Sequence, residues 1–223
     1  MKNVITFFLL ATAVFAQDWA NLSRFENENK LLSEAGNSGN RVVFMGNSIT
    51  EGWIRTDPEF FSINNFVNRG ISGQTTPQML LRFRQDVINL NPIAVVILAG
   101  TNDLAGNTGT TSLETIEGNI TSMCELAKMN NIQVVLCSIL PAYDYPWKWG
   151  VYPTEKIMTI NKWMREYAAK NSFVFLDFFT PLADERNGLS IKYSEDGVHP
   201  NQLGYSVMKP LVEEAIAKCF QNK

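Results

Sequence analysis

Residues 41–53 read RVVFMGNSITEGW. Val42, Val43, Phe44 and Met45 form an unbroken apolar run, which suits a strand covered on both faces of a parallel sheet. Gly46 ends the run, and Asn47 and Ser48 follow where such a strand turns into a helix. Open α/β sheets collect their reactive groups at the carboxyl ends of strands. A serine placed there meets free backbone N–H groups and the positive end of a helix dipole, both of which favour developing negative charge. Ser48 is therefore the candidate nucleophile. The competing role for it is that of an N-cap, for which serine is equally suited.

Further along the chain the same pattern recurs. Residues 66–68 are a short strand candidate that runs into RGISGQTT (69–76), where two glycines suggest tight turning or close approach of backbone. Pro77 then opens a helix whose apolar stripe is Met79, Leu80, Phe83, Val87, Ile88 and Leu90. Residues 93–99 (IAVVILA) are wholly apolar and of strand length, and they end in the polar cluster Gly100, Thr101, Asn102, Asp103. Thr111 to Glu114 has the form of a capping box ahead of a helix bearing Leu113, Ile116, Ile120, Met123 and Ala127 on one face.

Residues 132–140 predict a further buried strand, 154–170 a helix, 173–176 a last short strand, and 202–220 a terminal helix. Upstream, residues 18–32 carry Trp19, Leu22, Phe25, Leu31 and Leu32 at helical spacing, and 34–40 are a turn-rich link. Strands alternating with helices imply an α/β fold, a three-layer α/β/α sandwich around a parallel sheet of about five strands. Right-handed crossovers would bring the ends of the first three strands, with Ser48, Gly73 and Asn102, to one rim.

At 223 residues the chain is sized for one core, and residues 17–223 are read as a single domain. A net charge of -3 gives no basic footprint for nucleic acid. Residues 1–16 (MKNVITFFLLATAVFA) combine a basic start, an apolar centre and a small residue before Gln17, the three parts of a secretory signal peptide. That predicts export to the periplasm or beyond, with cleavage after Ala16. The apolar stretch is shorter than the roughly 20 residues of a spanning helix, so no stable membrane insertion is expected after cleavage. Cys124, Cys137 and Cys219 are few, odd in number and set in apolar or helical stretches, which predicts buried free thiols.

His199 is the only histidine, so the choice of a general base reduces to one candidate. Asp196, three residues earlier in a Gly- and Pro-bounded turn, can accept the Nδ1–H and leave Nε2 for a serine hydroxyl. The alternative is a helix-entry turn in which Asp196 caps and Pro200 starts the helix. One histidine also argues against a multi-histidine metal site, and neither metal nor cofactor is expected.

Four blocks then stand in order: GNSIT (46–50), NRGISG (68–73), GTND (100–103) and DGVHPN (196–201). Together they resemble the SGNH hydrolases, also called GDSL esterases, and they bracket nearly the whole mature chain. The resemblance implies a flavodoxin-like sandwich and serine ester hydrolysis. It makes Ser48 the nucleophile, His199 the base and Asp196 its orienter. The N–H groups of Ser48 and Gly73 and the side-chain amide of Asn102 would form an oxyanion hole. One departure is Asn47, where the family usually has aspartate; it keeps the size and loses the charge, so activity is expected to survive with an altered pH dependence. Asp103 reads as a structural acceptor.

The wording GNSITEGW and GTNDLAGN is similar to members resembling platelet-activating-factor acetylhydrolase, whose exported bacterial relatives suggest acetyl esters of carbohydrates. Tyr143, Tyr145, Trp147 and Trp149 follow a strand end, where they would either bind a sugar or acyl group or pack among themselves. Trp53 is expected in the core. The substrate is then a small or saccharide ester. The alternatives are a lipase or thioesterase for longer chains, or a non-catalytic sugar-binding module.

Overall fold

The computed structural model describes residues 18–36 and 39–221; the proposed signal peptide lies outside them. The strands are β1 (Val42–Gly46), β2 (Phe66–Gly70), β3 (Ala94–Leu98), β4 (Gln133–Cys137) and β5 (Val174–Leu176). They form one sheet in the order β2-β1-β3-β4-β5, and every pairing is parallel. This is the expected α/β sandwich with its five strands.

The helices are α1 (Glu26–Glu34), α2 (Ser48–Thr56), α3 (Pro58–Ile63), α4 (Thr76–Asp86), α5 (Thr101–Ala105), α6 (Leu113–Met129), α7 (Thr154–Asn171), α8 (Phe179–Leu182) and α9 (Gln202–Gln221). The N-terminal segment, expected as one helix from residue 18, is a turn and a 3-10 stretch (Leu22–Phe25) before α1. At α6 the expected capping box is displaced by one residue. Ser112, rather than Thr111, is the cap, and its hydroxyl accepts the Thr115 N–H.

Successive side chains of a strand point to opposite faces, and β1 divides accordingly. Val43 and Met45 join the core under α4, α6 and α7. Val42 and Phe44 join the core under α2, α3 and α9. Both faces are buried, which is why β1, β3 and β4 read as continuous apolar runs. All three cysteines are buried free thiols, and burial pushes that of Cys124 up to about 12.

On the α2/α9 face, Trp53 is stacked between Phe60 and Tyr205, with ring centroids 5.2 and 5.4 Å away. The Tyr205 hydroxyl donates to the Ile49 carbonyl at 2.8 Å. Gly52 makes the approach possible, since a Cβ there would lie 2.7 Å from that hydroxyl oxygen. The start of α2 is thereby fixed against the start of α9, the two points at which Ser48 and His199 enter the structure.

Candidate active site

Ser48 begins α2 but does not cap it. Asn47 does so: its Oδ1 accepts the Ile49 N–H at 3.0 Å, and Asn47 is buried. A neutral amide oxygen is enough for that bond, so the exchange of the usual aspartate leaves the cap in place. The Ser48 hydroxyl is released from capping and lies 2.8 Å from His199 Nε2.

At the other helix start the same division of labour holds. Asn201 accepts the Gly204 N–H at 3.0 Å, so the helix-entry role considered for Asp196 falls to Asn201 instead. Asp196 Oδ2 is 2.6 Å from His199 Nδ1, while Oδ1 accepts from the N–H groups of Val198 and His199 and from the Ser194 hydroxyl. Partial burial would raise the Asp196 pKa, but the bonds from His199 and Val198 outweigh it and hold the carboxyl below its ordinary value. With Nδ1 against a carboxylate, that nitrogen carries the proton and Nε2 is left to accept. Ser48, His199 and Asp196 thus stand in one continuous hydrogen-bonded row, with the accepting nitrogen toward the serine hydroxyl.

The end of β2 reaches the same place through glycine. A Cβ on Gly70 would lie 2.2 Å from the Glu51 nitrogen and 2.8 Å from the Asn47 carbonyl oxygen, so only glycine lets β2 come so close to α2. Asn68 strengthens the contact by donating to the Thr50 carbonyl at 2.6 Å and accepting the Gly70 N–H at 2.9 Å. Beyond it Gly73 adopts φ +78°, in the left-handed region. Its neighbour Ser72 is anchored to Glu51 through both backbone N–H and hydroxyl.

Asn102, in the first turn of α5, donates one amide N–H to the Gln74 carbonyl at 2.9 Å. The amide is therefore tied to the Gly73 loop while its second N–H is not used in that bond. Asp103 is the structural acceptor expected: its carboxylate takes the Thr76 N–H at 3.0 Å and the Thr76 hydroxyl at 2.6 Å. Burial pushes its pKa up to about 6, against the lowering effect of the Thr76 bonds.

Beneath this loop lies a polar network that the sequence did not reveal. Arg82, fully buried, donates to Gln74 Oε1 at 2.5 Å, to the Gly46 carbonyl at 3.0 Å and to Asp86 at 3.0 Å. Asp86 in turn accepts from Asn29, and Asn29 accepts from Arg69. Burial lowers the Arg82 pKa to about 10, partly offset by Asp86, so it stays charged at neutral pH. The signal available was the i, i+4 spacing of Arg82 and Asp86 on a helix.

The aromatic loop divides. Asp144 gathers it by accepting from the N–H groups of Tyr145, Gly150 and Val151. Trp147 comes to the site, its ring 5.9 Å from that of His199 between centroids. Tyr145, a candidate substrate contact with packing as the alternative, is fully buried and backs Trp147 at 5.1 Å. This corrects its assignment, because a side chain pointing into the core cannot meet a ligand at the rim. Tyr143 packs against Tyr152 and Arg186, and Trp149 is exposed. Asn107, which had no role in the sequence reading, accepts the Trp147 indole N–H at 3.2 Å and donates to the Gly73 carbonyl at 3.1 Å.

A family model for GDSL-like lipases and acylhydrolases matches residues 44–207, a span that contains Ser48, Gly73, Asn102, Asp196 and His199. The chain belongs to the GDSL-like lipase/acylhydrolase family. Among solved structures, this GDSL-like chain is 48% identical to a GDSL-like lipase from Bacteroides thetaiotaomicron, with a TM-score of 0.87 over 90% of this chain and 99% of that one. It is 46% identical to a Bacteroides fragilis protein described as an acylhydrolase, with a TM-score of 0.88 over 91% and 99%. An acetylxylan esterase from Geobacillus stearothermophilus shares the fold at 18% identity, with a TM-score of 0.63 over 81% and 95%. No curated protein matches the chain.

Proposed function

We propose that this GDSL-like protein is a serine esterase that removes short acyl groups, acetyl above all, from saccharides outside the cytoplasm. The observation that carries the reading is the 2.8 Å approach of Ser48 Oγ to His199 Nε2, with Asp196 on the far side of the ring. The chemical roles follow from that pair. Ser48 Oγ attacks the ester carbonyl as its proton passes to His199 Nε2, and the developing oxyanion meets the N–H groups of Ser48 and Gly73 and the Asn102 amide. The tetrahedral intermediate collapses, the alcohol leaves with the proton from His199, and an acyl group remains on Ser48. Water activated by His199 then attacks that acyl carbon, and the acid departs with the serine restored.

Three features support a saccharide ester over a lipid. A cleft of about 440 Å³ borders Gly73, and its walls include Asn21, Gln78, Asn107, Thr108 and Trp19. Amides, hydroxyls and one aromatic face suit a sugar, whereas a long acyl chain would desolvate them without replacing their bonds. Trp147 supplies a second exposed ring beside His199. The fold is shared with acetyl xylan esterases, and the signal-like residues 1–16 support export.

The test is the rate of the mature protein on p-nitrophenyl acetate against the octanoate, followed by acetate release from acetylated polysaccharides. Faster turnover of the acetate and measurable release from a polysaccharide are expected. Preference for octanoate would favour a lipase or thioesterase, and no hydrolysis of either ester by folded protein would favour a sugar-binding module.

A further inference from the structure

Asn107 touches three separate parts of the site at once. Its backbone N–H donates to the Asn102 carbonyl at 3.0 Å, which locks it to the residue that supplies the side-chain amide. Its Nδ2 donates to the Gly73 carbonyl at 3.1 Å, and its Oδ1 accepts the Trp147 indole N–H at 3.2 Å. An indole N–H only donates and a carbonyl only accepts, so a single orientation of the amide satisfies both partners. No other residue type of this length offers one donor and one acceptor in a rigid plane.

The Gly73 peptides are held from both sides by this arrangement. Ser72 before it is bound to Glu51, and the Gly73 carbonyl after it is bound to Asn107, so the direction of the Gly73 N–H is set between two anchors. Trp147, with Tyr145 buried behind it, is held over the His199 ring by the other end of the same amide. We propose that Asn107 is a positioning residue that joins the aromatic wall over His199 to the oxyanion donor Gly73, so that the two are set as one unit. This inference rests on the esterase reading of the same site, and it assigns Asn107 no contact with the reacting atoms.

A misdirected donor weakens the transition state more than the ground state, so the loss should fall on kcat. The measurement is hydrolysis of p-nitrophenyl acetate by wild type, Asn107→Ala, Asn107→Asp, Trp147→Phe and the Asn107→Ala/Trp147→Phe double variant. Each kcat is expressed per site titrated with an organophosphonate, which removes any contribution from unfolded protein. Asn107→Asp keeps the acceptor for the indole but sets an oxygen against the Gly73 carbonyl.

Asn107→Ala and Asn107→Asp should each lower kcat per titrated site about tenfold with KM within about twofold, a share of what losing a whole oxyanion donor costs. Trp147→Phe should then add less than about twofold to the loss in Asn107→Ala, because the bond it removes is already gone. Wild-type kcat per site in both Asn107 variants, or losses that multiply in the double variant, would overturn the inference alone. Wild-type protein that neither titrates nor hydrolyses the ester would overturn the esterase reading, and this inference with it.

Discussion

Asn47 caps the helix that Ser48 begins, and in doing so it frees the serine hydroxyl for His199. The capping bond needs only an oxygen, which predicts that Asn47→Asp keeps esterase activity within a few-fold of wild type. Asn47→Ala removes the cap and should cost about 1 kcal/mol of stability, or about 2–4 °C in Tm for a domain of this size. Thermal melts and p-nitrophenyl acetate kinetics on the two variants check both statements.

Asp196 Oδ2 lies 2.6 Å from His199 Nδ1, and the bonds from His199 and Val198 hold its carboxyl below the ordinary value despite partial burial. A depressed native pKa gives stability that is present above the usual carboxylate range and is lost as pH falls through the lowered value. Asp196→Asn should therefore flatten the acid limb of the stability curve. It should also lower kcat on the order of a thousandfold, since the wrong histidine tautomer becomes accessible. Acid titration followed by circular dichroism and pH-resolved kinetics read the two effects.

Asp103 shows the opposite sign. Burial lifts its carboxyl to about 6 in the folded protein, above the value of an unfolded aspartate. The stability this supplies is complete below about pH 4 and is lost as pH rises through about 6. The Tm of wild type relative to Asp103→Asn should thus fall between those limits and level off above them. A constant difference in Tm from pH 4 to 7 would contradict the assignment.

Arg82 and Asp86 are a buried ion pair whose arginine also holds Gln74 and the Gly46 carbonyl beneath the Gly73 loop. Removing one partner leaves the other charge uncompensated, so Arg82→Leu should cost about 3–5 kcal/mol. Urea denaturation gives the value. A loss below about 1 kcal/mol would contradict this cost of an unpaired buried charge.

The sheet was legible because strands buried on both faces become apolar runs, as residues 42–45 and 93–99 are. The residues of the Ser48 and His199 pair were legible for a different reason, since each lies in a short block at a strand or helix end where few residue types fit. Which of the two roles each loop aromatic takes was not legible, because a loop has no period to tell an inward side chain from an outward one, and Tyr145 and Trp147 stand only two residues apart. Asn107 left no signal beyond its place after GTNDLAG, because an amide that bridges distant segments acts through tertiary contacts alone. Arg82 was hidden for a similar reason: a charged residue beside Phe83 reads as solvent-facing until its partners Gln74 and Asp86 are seen to be buried with it.

Activation of the Ser48 hydroxyl by His199 is read out by covalent labelling of protein lacking residues 1–16 with an organophosphonate. One adduct is expected, on the peptide containing Ser48, absent in Ser48→Ala and forming far more slowly in His199→Ala. Folded protein that takes up no adduct, or carries it on a residue other than Ser48, would rule out Ser48 as the activated nucleophile.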